Sequence, residues 1–252
     1  MDYGRYTELY TKMWNLLVET TDLKATATEL CTMRGYTLDS PNFEFFSTEF
    51  PIVKIASDSI DSLRKAPDEF GLFDKQGNFL LHDRFIIPVR DFEGNVLALI
   101  GWYPDDRKYI TTPSKYFVRS ALMLGLEQLP TESPTVIVEG VFDSLSLRAQ
   151  GVTALSMMGT KCSSTQRALY QLMGQIIAIP DNDSVGQTVI QEDSWGIPLK
   201  QGKYLRWKPF SVPVGSSEIY VKDIDLFTQL YGVEPILQAF KEITRNVVLE
   251  VH

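Results

Sequence analysis

The sequence predicts an α/β protein in which a parallel central sheet, flanked by helices, follows a smaller α+β region. From about residue 132 onward, apolar strand-like runs alternate with helix-like runs, a pattern typical of a parallel sheet covered on both faces. Upstream, helical segments precede a β-hairpin pattern and do not alternate with strands. A polar segment between Pro130 and Pro134 separates the two secondary-structure patterns. We therefore expect an N-terminal α+β subdomain over residues 1–131 and an α/β domain with C-terminal helices over residues 132–252.

The N-terminal region carries two helical patterns and one hairpin pattern. Residues 6–18 place aromatic and aliphatic side chains on one side of a helix. Residues 22–35 form a second helical pattern that ends at Gly35. After short β-prone pieces between residues 41 and 56, two strand-like runs flank a turn that contains Gly94. This arrangement is a hairpin signal.

The second region alternates strands and helices in chain order. Strands are predicted at residues 135–140, 152–159, 175–183 and 203–210. Helices are predicted at residues 141–151, 163–174, 184–191, 222–232 and 234–243. In open parallel sheets, ligands bind beside the carboxyl ends of the strands. Polar side chains that directly follow a strand are therefore candidates for a functional site.

Composition limits the classes of protein to consider. No apolar run approaches the roughly 18 residues that cross a bilayer, and the N-terminus has no signal-peptide pattern, so we expect a cytoplasmic protein with no membrane partner. The two cysteines lie far apart and form no Cys-x-x-Cys pair, so with only two histidines besides they make no convincing four-ligand structural zinc site, and no zinc is predicted. A net charge of −8 disfavours nucleic-acid binding. However, residues 107–119 and 196–214 each contain four basic residues and no acid, and focused positive charge lets an acidic protein bind DNA.

Acidic residues directly follow two of the predicted strands. Glu139 follows the first strand, and Asp181 and Asp183 follow the third. If these strands are neighbours, the carboxylates crowd one edge of the sheet, and like charges packed together need a cation. Oxygen-only clusters suit Mg²⁺ or Mn²⁺, and a pair of such ions serves phosphoryl transfer. Asp223 and Asp225 form a further acidic segment downstream.

These motifs resemble the Toprim fold, and in detail they resemble primases of the DnaG type. Glu139-Gly140 and Asp181-Asn182-Asp183 match the Toprim motifs, and Asp143 and Gly159-Thr160 match the corresponding stretch of DnaG-type primases. Residues 84–94 and 108–126 are similar to primase elements that other Toprim families do not share. The resemblance covers roughly residues 70 to 230 and implies a Toprim domain after the smaller subdomain.

The resemblance also implies an activity, namely DNA-directed synthesis of short RNA primers from nucleoside triphosphates during replication. Glu139, Asp181 and Asp183 are the catalytic residues that it implies. Four carboxylates would hold two or more Mg²⁺ or Mn²⁺ ions: Glu139, Asp181, Asp183 and Asp223. Asp143 and Asp225 are further candidates. Glu139 could alternatively act as a general base.

Basic residues and partners follow from the same resemblance. Four basic side chains would hold template or triphosphate: Arg84, Arg90, Lys108 and Arg119. The expected partners are a single-stranded DNA template and nucleoside triphosphates. The zinc-binding module and the helicase-binding or helicase domain that are usual in the family have no counterpart in this sequence. Two alternatives follow: a separate zinc-binding protein and a replicative helicase supply these parts as partners, or initiation proceeds without them. The small size favours a phage or mobile-element replication protein, acting in the host cytoplasm.

Other classes stay open on the residues alone. A Toprim nuclease would use the same ions to cut a phosphodiester bond. A non-catalytic DNA-binding accessory protein of replication or recombination would need no ions, and the intact acidic set disfavours it. Asp143 could simply lie in the first turn of its helix, where the helix dipole favours an acidic side chain. Asp223 and Asp225 could simply begin a helix.

Overall fold

The computed structural model describes residues 3–55, 71–103, 109–113, 119–198, 200–207, 211–214, 217–241 and 248–249. The chain divides into two compact units, residues 1–118 and 119–252. This division falls before the boundary expected near residue 131. The reason is that Met123, Leu126 and Leu129 are buried in a core of the second unit.

Two long helices open the first unit, α1 (Tyr3–Thr20) and α2 (Leu23–Arg34). The carboxylate of Asp22 accepts a hydrogen bond from the backbone N–H of Ala25 and caps α2. Gly35 ends this helix with a φ of 78°, a left-handed conformation that glycine adopts without strain. Both helices occupy the stretches predicted from the spacing of apolar residues.

The segment after Gly35 is helical where the sequence suggested β-structure. Pro41–Glu44 form α3, and Phe45–Glu49 continue as a π-helical turn. Proline is well tolerated in the first turn of a helix. Phe45 and Phe46 are buried, with their ring centroids 5.6 Å apart. Burial of these rings overrides the β preference of aromatic side chains.

An antiparallel sheet of four strands, in the order β1–β2–β3–β4, completes the first unit. Its strands are β1 (Val53–Lys54), β2 (Phe85–Arg90), β3 (Val96–Trp102) and β4 (Tyr109–Thr111). Strands β2 and β3 form the predicted hairpin. In its turn, Asp91 accepts hydrogen bonds from the backbone N–H groups of Glu93 and Asn95. Leu17 of α1 and Ile86 of β2 lie in one core, so α1 packs on this sheet.

The second unit is built on a parallel sheet with the strand order β6–β5–β7–β8. Its strands are β5 (Thr135–Val138), β6 (Ala154–Ser156), β7 (Ile176–Ile179) and β8 (Gly202–Tyr204). The predicted parallel sheet is therefore confirmed. Strands β5 and β7 are direct neighbours, and Val138 is paired with Ile179. Residues that follow these two strands thus lie at the same edge of the sheet.

Helices cover both faces of the parallel sheet. They are α4 (Val141–Ala149), α5 (Ser164–Ala168), α6 (Ser184–Gln191), α7 (Ile224–Tyr231) and α8 (Glu234–Lys241). Val136 and Val138 of β5 share one core with Phe227 of α7. Ile137 points to the opposite core, which contains Trp195. Alternate residues of β5 therefore serve opposite faces, as a doubly covered sheet requires.

Short peripheral strands complete the second unit. They are β9 (Arg206–Trp207), β10 (Ser211–Val214), β11 (Ser217–Tyr220) and β12 (Val248–Leu249). Strands β10 and β11 form an antiparallel ribbon, and β12 pairs with β9. The single strand predicted at residues 203–210 is divided between β8 and β9, and residues 208–210 lie outside the described part. Among the described helices, none combines the length and apolar character needed to cross a membrane.

Candidate active site

The carboxyl edge of the parallel sheet gathers the acidic residues that the sequence singled out. Glu139 follows β5 directly, and Asp181 lies two residues after β7. Because β5 and β7 are adjacent and parallel, these two carboxylates meet at one edge. Asp183 follows on the same connection and leads into α6.

Two of the predicted ligands also begin helices. Asp183 accepts hydrogen bonds of 3.0 Å from the backbone N–H groups of Val185 and Gly186, and it caps α6. Asp223 accepts one of 3.0 Å from the backbone N–H of Leu226 and caps α7. In each case the bonded atom is Oδ1. Capping fixes the position of both carboxyl groups without occupying their second oxygen in these bonds.

Glycines let the backbone approach closely at this edge. A Cβ atom on Gly186 would overlap the backbone carbonyl of Asp181, and one on Gly140 would overlap the carboxylate of Asp143. At Gly186 the close atoms are backbone, so only a residue without a side chain allows the first turn of α6 to lie this near Asp181.

Burial and like charge act together on Glu139. Its Oε2 atom is buried and has no hydrogen-bond partner. Burial, and then the negative charges of Asp181 and Asp183, raise the pKa of Glu139 to about 7, while Lys222 opposes the rise. A buried carboxylate oxygen without a donor is costly unless a cation or a proton compensates it.

Asp181 and Asp143 experience the same crowding. Burial raises the pKa of Asp181 to about 6; Lys222 lowers it, and Asp223 and Asp183 raise it. Asp143 is buried, and burial followed by the charge of Asp223 raises its pKa well above the usual range. Electrostatic coupling therefore connects the residues after β5, after β7 and at the start of α7.

Among the described residues, Lys222 faces this acidic edge from the segment that precedes α7. Its Nζ atom lies 3.4 Å from Oδ2 of Asp181 and 3.8 Å from Oδ2 of Asp183. Sequence reasoning missed this residue, although a lysine directly before Asp223 was the available signal. The charges of Asp181 and Asp183 outweigh partial burial and raise the pKa of Lys222, so it is charged at neutral pH.

The donor set fits a hard divalent cation. All donors are carboxylate oxygens, the ligands that Mg²⁺ and Mn²⁺ prefer. The unbonded Oε2 of Glu139 and the mutual repulsion of the acids supply the physical need for such an ion. Within the described residues, no three His, Cys, Asp or Glu side chains stand close enough together to hold a metal ion.

The predicted basic contacts have different surroundings. Arg84 is half-buried, with its guanidinium 5.4 Å from the ring centroid of Tyr103. Arg90 donates a hydrogen bond of 2.8 Å to the carbonyl of Gly94 within the hairpin. Lys108 and the side chain of Arg119 lie outside the described part of the chain. Their assignment to template or triphosphate stays a prediction.

Comparison with known proteins finds similarity to a Toprim-like family and to DNA primases. A family described as Toprim-like matches residues 136–202. A DNA primase of Thermotoga maritima is 23% identical over 203 residues, covering 73% of this chain and 35% of that protein. A DNA primase of Borreliella burgdorferi is 32% identical over 139 residues, covering 51% of this chain and 26% of that protein.

Solved structures extend the likeness across the chain. A DnaG catalytic core matches with a TM-score of 0.69 at 16% identity, covering 94% of this chain and 79% of that one. A DnaG primase catalytic domain bound to single-stranded DNA also gives 0.69, at 17% identity, covering 95% and 81%. The chain has the fold of a DnaG primase catalytic core.

Within this DnaG-like core, the Toprim-like segment contains most of the predicted acidic residues. Glu139, Asp143, Asp181 and Asp183 lie inside residues 136–202, whereas Asp223 and Asp225 lie beyond it. Metal dependence is general in this fold. The DnaG-like core spans 35% of the Thermotoga maritima primase and 26% of the Borreliella burgdorferi one.

Proposed function

We propose that this chain synthesises short RNA primers from nucleoside triphosphates on a single-stranded DNA template. The observation that carries the proposal is the meeting of Glu139 and Asp181 at the carboxyl edge of two adjacent parallel strands, in a chain with the fold of a DnaG core. Parallel sheets bind their ligands at this edge.

The acidic residues would act by holding divalent cations beside the reacting groups. Four carboxylates would supply the ligands: Glu139, Asp181, Asp183 and Asp223. When bound, Mg²⁺ or Mn²⁺ would neutralise the triphosphate and favour ionisation of the 3′-hydroxyl of the growing primer. The helix caps at Asp183 and Asp223 keep their carboxyl groups in place, so these residues contribute positioning as well as charge.

Glu139 has an alternative role as the general base. Its pKa of about 7 would allow it to accept the proton of the 3′-hydroxyl near neutral pH. Asp143 and Asp225 are both buried, and we assign them to support of the acidic edge rather than to direct contact with ions.

Template and nucleotide contacts are proposed for the basic residues: Arg84, Arg90, Lys108 and Arg119. Arginine binds phosphate through paired hydrogen bonds. One similar structure is a DnaG domain bound to single-stranded DNA, and another, from Aquifex aeolicus, contains zinc-binding and RNA polymerase domains. These similarities support single-stranded DNA as a partner of this chain. A replicative helicase and a separate zinc-binding protein are further proposed partners.

A primer-synthesis assay tests the function directly. The protein is incubated with Mn²⁺, a single-stranded template and labelled ribonucleotides. We expect short RNA from the wild type and at least about a tenfold lower rate from Glu139→Gln, equivalent to about 1.4 kcal/mol of barrier. The matched control is Glu132→Gln, because Glu132 is exposed and precedes β5 at the opposite end of the strand. Equal rates for wild type and Glu139→Gln would contradict the proposal.

The same assay separates the proposed primase from a Toprim nuclease. A nuclease would use the same carboxylates and ions to cut a phosphodiester bond. Shortened DNA without labelled RNA would therefore assign the acidic edge to cleavage. Neither product, with full DNA binding by Asp181→Asn, would assign the chain to the non-catalytic class.

A further inference from the structure

Lys222 lies in the gap between two carboxylates of the acidic edge. Its ammonium group is 3.4 Å from Oδ2 of Asp181 and 3.8 Å from Oδ2 of Asp183. Its side chain is 54% exposed, compared with 16% for Asp181. The lysine therefore approaches from the solvent side and places a positive charge next to the more buried acid.

The backbone of Lys222 is held by hydrogen bonds, whereas its exposed side chain makes only long contacts with Asp181 and Asp183. The carbonyl oxygen of Lys222 accepts a hydrogen bond of 2.6 Å from the backbone N–H of Asn182. The side-chain amide of Asn182 donates to the carbonyl of Val221 at 3.0 Å. Asp223, the next residue, caps α7. A long flexible side chain on a fixed backbone can leave the carboxylates without any change in the fold.

The contacts of Lys222 are weak enough to be exchanged. At 3.4 and 3.8 Å, its contacts are longer than the strong charge-assisted hydrogen bonds of about 2.7–2.9 Å. Ion pairs that involve an exposed lysine contribute little net free energy. A divalent cation bound directly by carboxylate oxygens interacts with them more strongly than one ammonium group.

We propose that Lys222 is the resident counter-cation of the acidic edge: it compensates Asp181 and Asp183 in the metal-free protein and swings into solvent when a divalent cation binds. This inference rests on the metal site of the proposed function. It assigns to Lys222 a positioning role that sets metal affinity, since the ion must replace the lysine to bind. The lysine stabilises the metal-free edge and in doing so weakens metal binding.

A Mn²⁺ titration without nucleotide or DNA tests the inference. Free Mn²⁺ is followed by electron paramagnetic resonance, so no catalytic activity is needed. Lys222→Met keeps the length of the side chain and removes the charge. It should bind Mn²⁺ about twofold to fivefold more tightly than the wild type, as expected for loss of a partly exposed cation. Lys222→Arg, which keeps the charge, should bind no more tightly than the wild type.

Lys200→Met is the matched control. Lys200 is exposed and precedes β8, so it lies at the amino edge of the parallel sheet, and its replacement should leave Mn²⁺ affinity unchanged. Thermal unfolding supplies a second readout. Lys222→Met should melt below the wild type in EDTA, and the difference should shrink at saturating Mn²⁺.

The outcomes distinguish an error in the role of Lys222 from an error in the metal site itself. If Glu139→Gln loses Mn²⁺ binding but Lys222→Met binds like the wild type, the role of Lys222 is wrong and the metal site stands. If the wild type and Glu139→Gln bind Mn²⁺ equally, the metal site itself is wrong and the proposed function fails with it. Tighter binding by Lys222→Met, with loss in Glu139→Gln, supports both.

Discussion

Asp143 of α4 accepts a hydrogen bond of 3.0 Å from the backbone N–H of Asp225, in the first turn of α7. Both residues are buried. The bond joins a helix of the Toprim-like segment to a helix that lies beyond it in the chain. Asp143 therefore holds the start of α7, with its capping Asp223, beside the acidic edge.

Two substitutions of Asp143 separate the contribution of its hydrogen-bond acceptor from that of its negative charge. Asp143→Asn keeps an acceptor oxygen and removes a buried negative charge, so the free energy of unfolding should stay equal or rise in the metal-free protein. Asp143→Ala leaves the N–H of Asp225 without this partner and should lower the free energy of unfolding by about 1–3 kcal/mol. Urea denaturation at pH 8 measures both. Equal losses in the two variants would show that the charge is needed.

The stability of the metal-free protein should fall as pH rises. The folded protein raises the pKa of Glu139 from 4.5 to about 7 and that of Asp181 from 3.8 to about 6. Between these values the folded state binds more protons than the unfolded state, so the stabilisation present below about pH 4 is lost as pH rises through 6 and 7. Melting temperatures in EDTA should therefore be lower at pH 8 than at pH 5.

Two variants test the origin of this pH dependence. Glu139→Gln cannot ionise and should show a smaller drop in melting temperature between pH 5 and pH 8. Glu132→Gln, on the exposed link before β5, should retain the wild-type drop. A rise in melting temperature towards pH 8 in the wild type would mean that the acids are not in their assigned surroundings.

Gly186→Ala should impair the acidic edge. The added Cβ would overlap the backbone carbonyl of Asp181, so the first turn of α6 must move and carry Asp183 with it. Overpacking of this kind costs about 1–3 kcal/mol of stability, and Mn²⁺ affinity should fall as well. Ser184→Ala, at an exposed position of the same helix, should change neither. Wild-type Mn²⁺ binding by Gly186→Ala would show that α6 is not positioned by this contact.

The ion pair between Arg148 and Glu127 should be important for stability. Its atoms are 2.6 Å apart, and the side chains are only 9% and 15% exposed. Glu127→Ala leaves a buried guanidinium without this carboxylate and should cost about 3 kcal/mol or more of unfolding free energy. Glu8→Ala removes the partner of Lys12 in a pair that is over 60% exposed on both sides, and it should leave the free energy of unfolding almost unchanged. Chemical denaturation measures both variants, and similar losses of unfolding free energy would contradict the expectation that the buried pair contributes more.

The sequence predicted the acidic edge because strand ends can be recognised locally. Glu139 and Asp181 each follow a short apolar run, and parallel strands bring their ends to one side. The sequence could not establish that β5 and β7 are neighbours, since strand order depends on tertiary packing. The structure places them side by side, which is the condition that the prediction required.

The position of Lys222 beside Asp223 was visible in the sequence, but its contact with Asp181 was not. Lys222 lies 41 positions after Asp181 in the chain, and its approach depends on the hydrogen bond that ties its carbonyl to Asn182. No periodic pattern marks such a contact between two loops. The helical segment at Phe45 and Phe46 was missed for a related reason, because the burial of two rings outweighed their local preference.

The alternation of Val136, Ile137 and Val138 between two cores ties folding of the second unit to its chemistry. Inserting or deleting a single residue within β5 would turn the side chains beyond that point to the opposite face of the sheet. The same shift would turn Glu139 away from Asp181. Hydrophobic packing of β5 thus fixes the orientation of the acidic side chain that follows it. Changes in length should be tolerated in the surrounding loops but not in this strand.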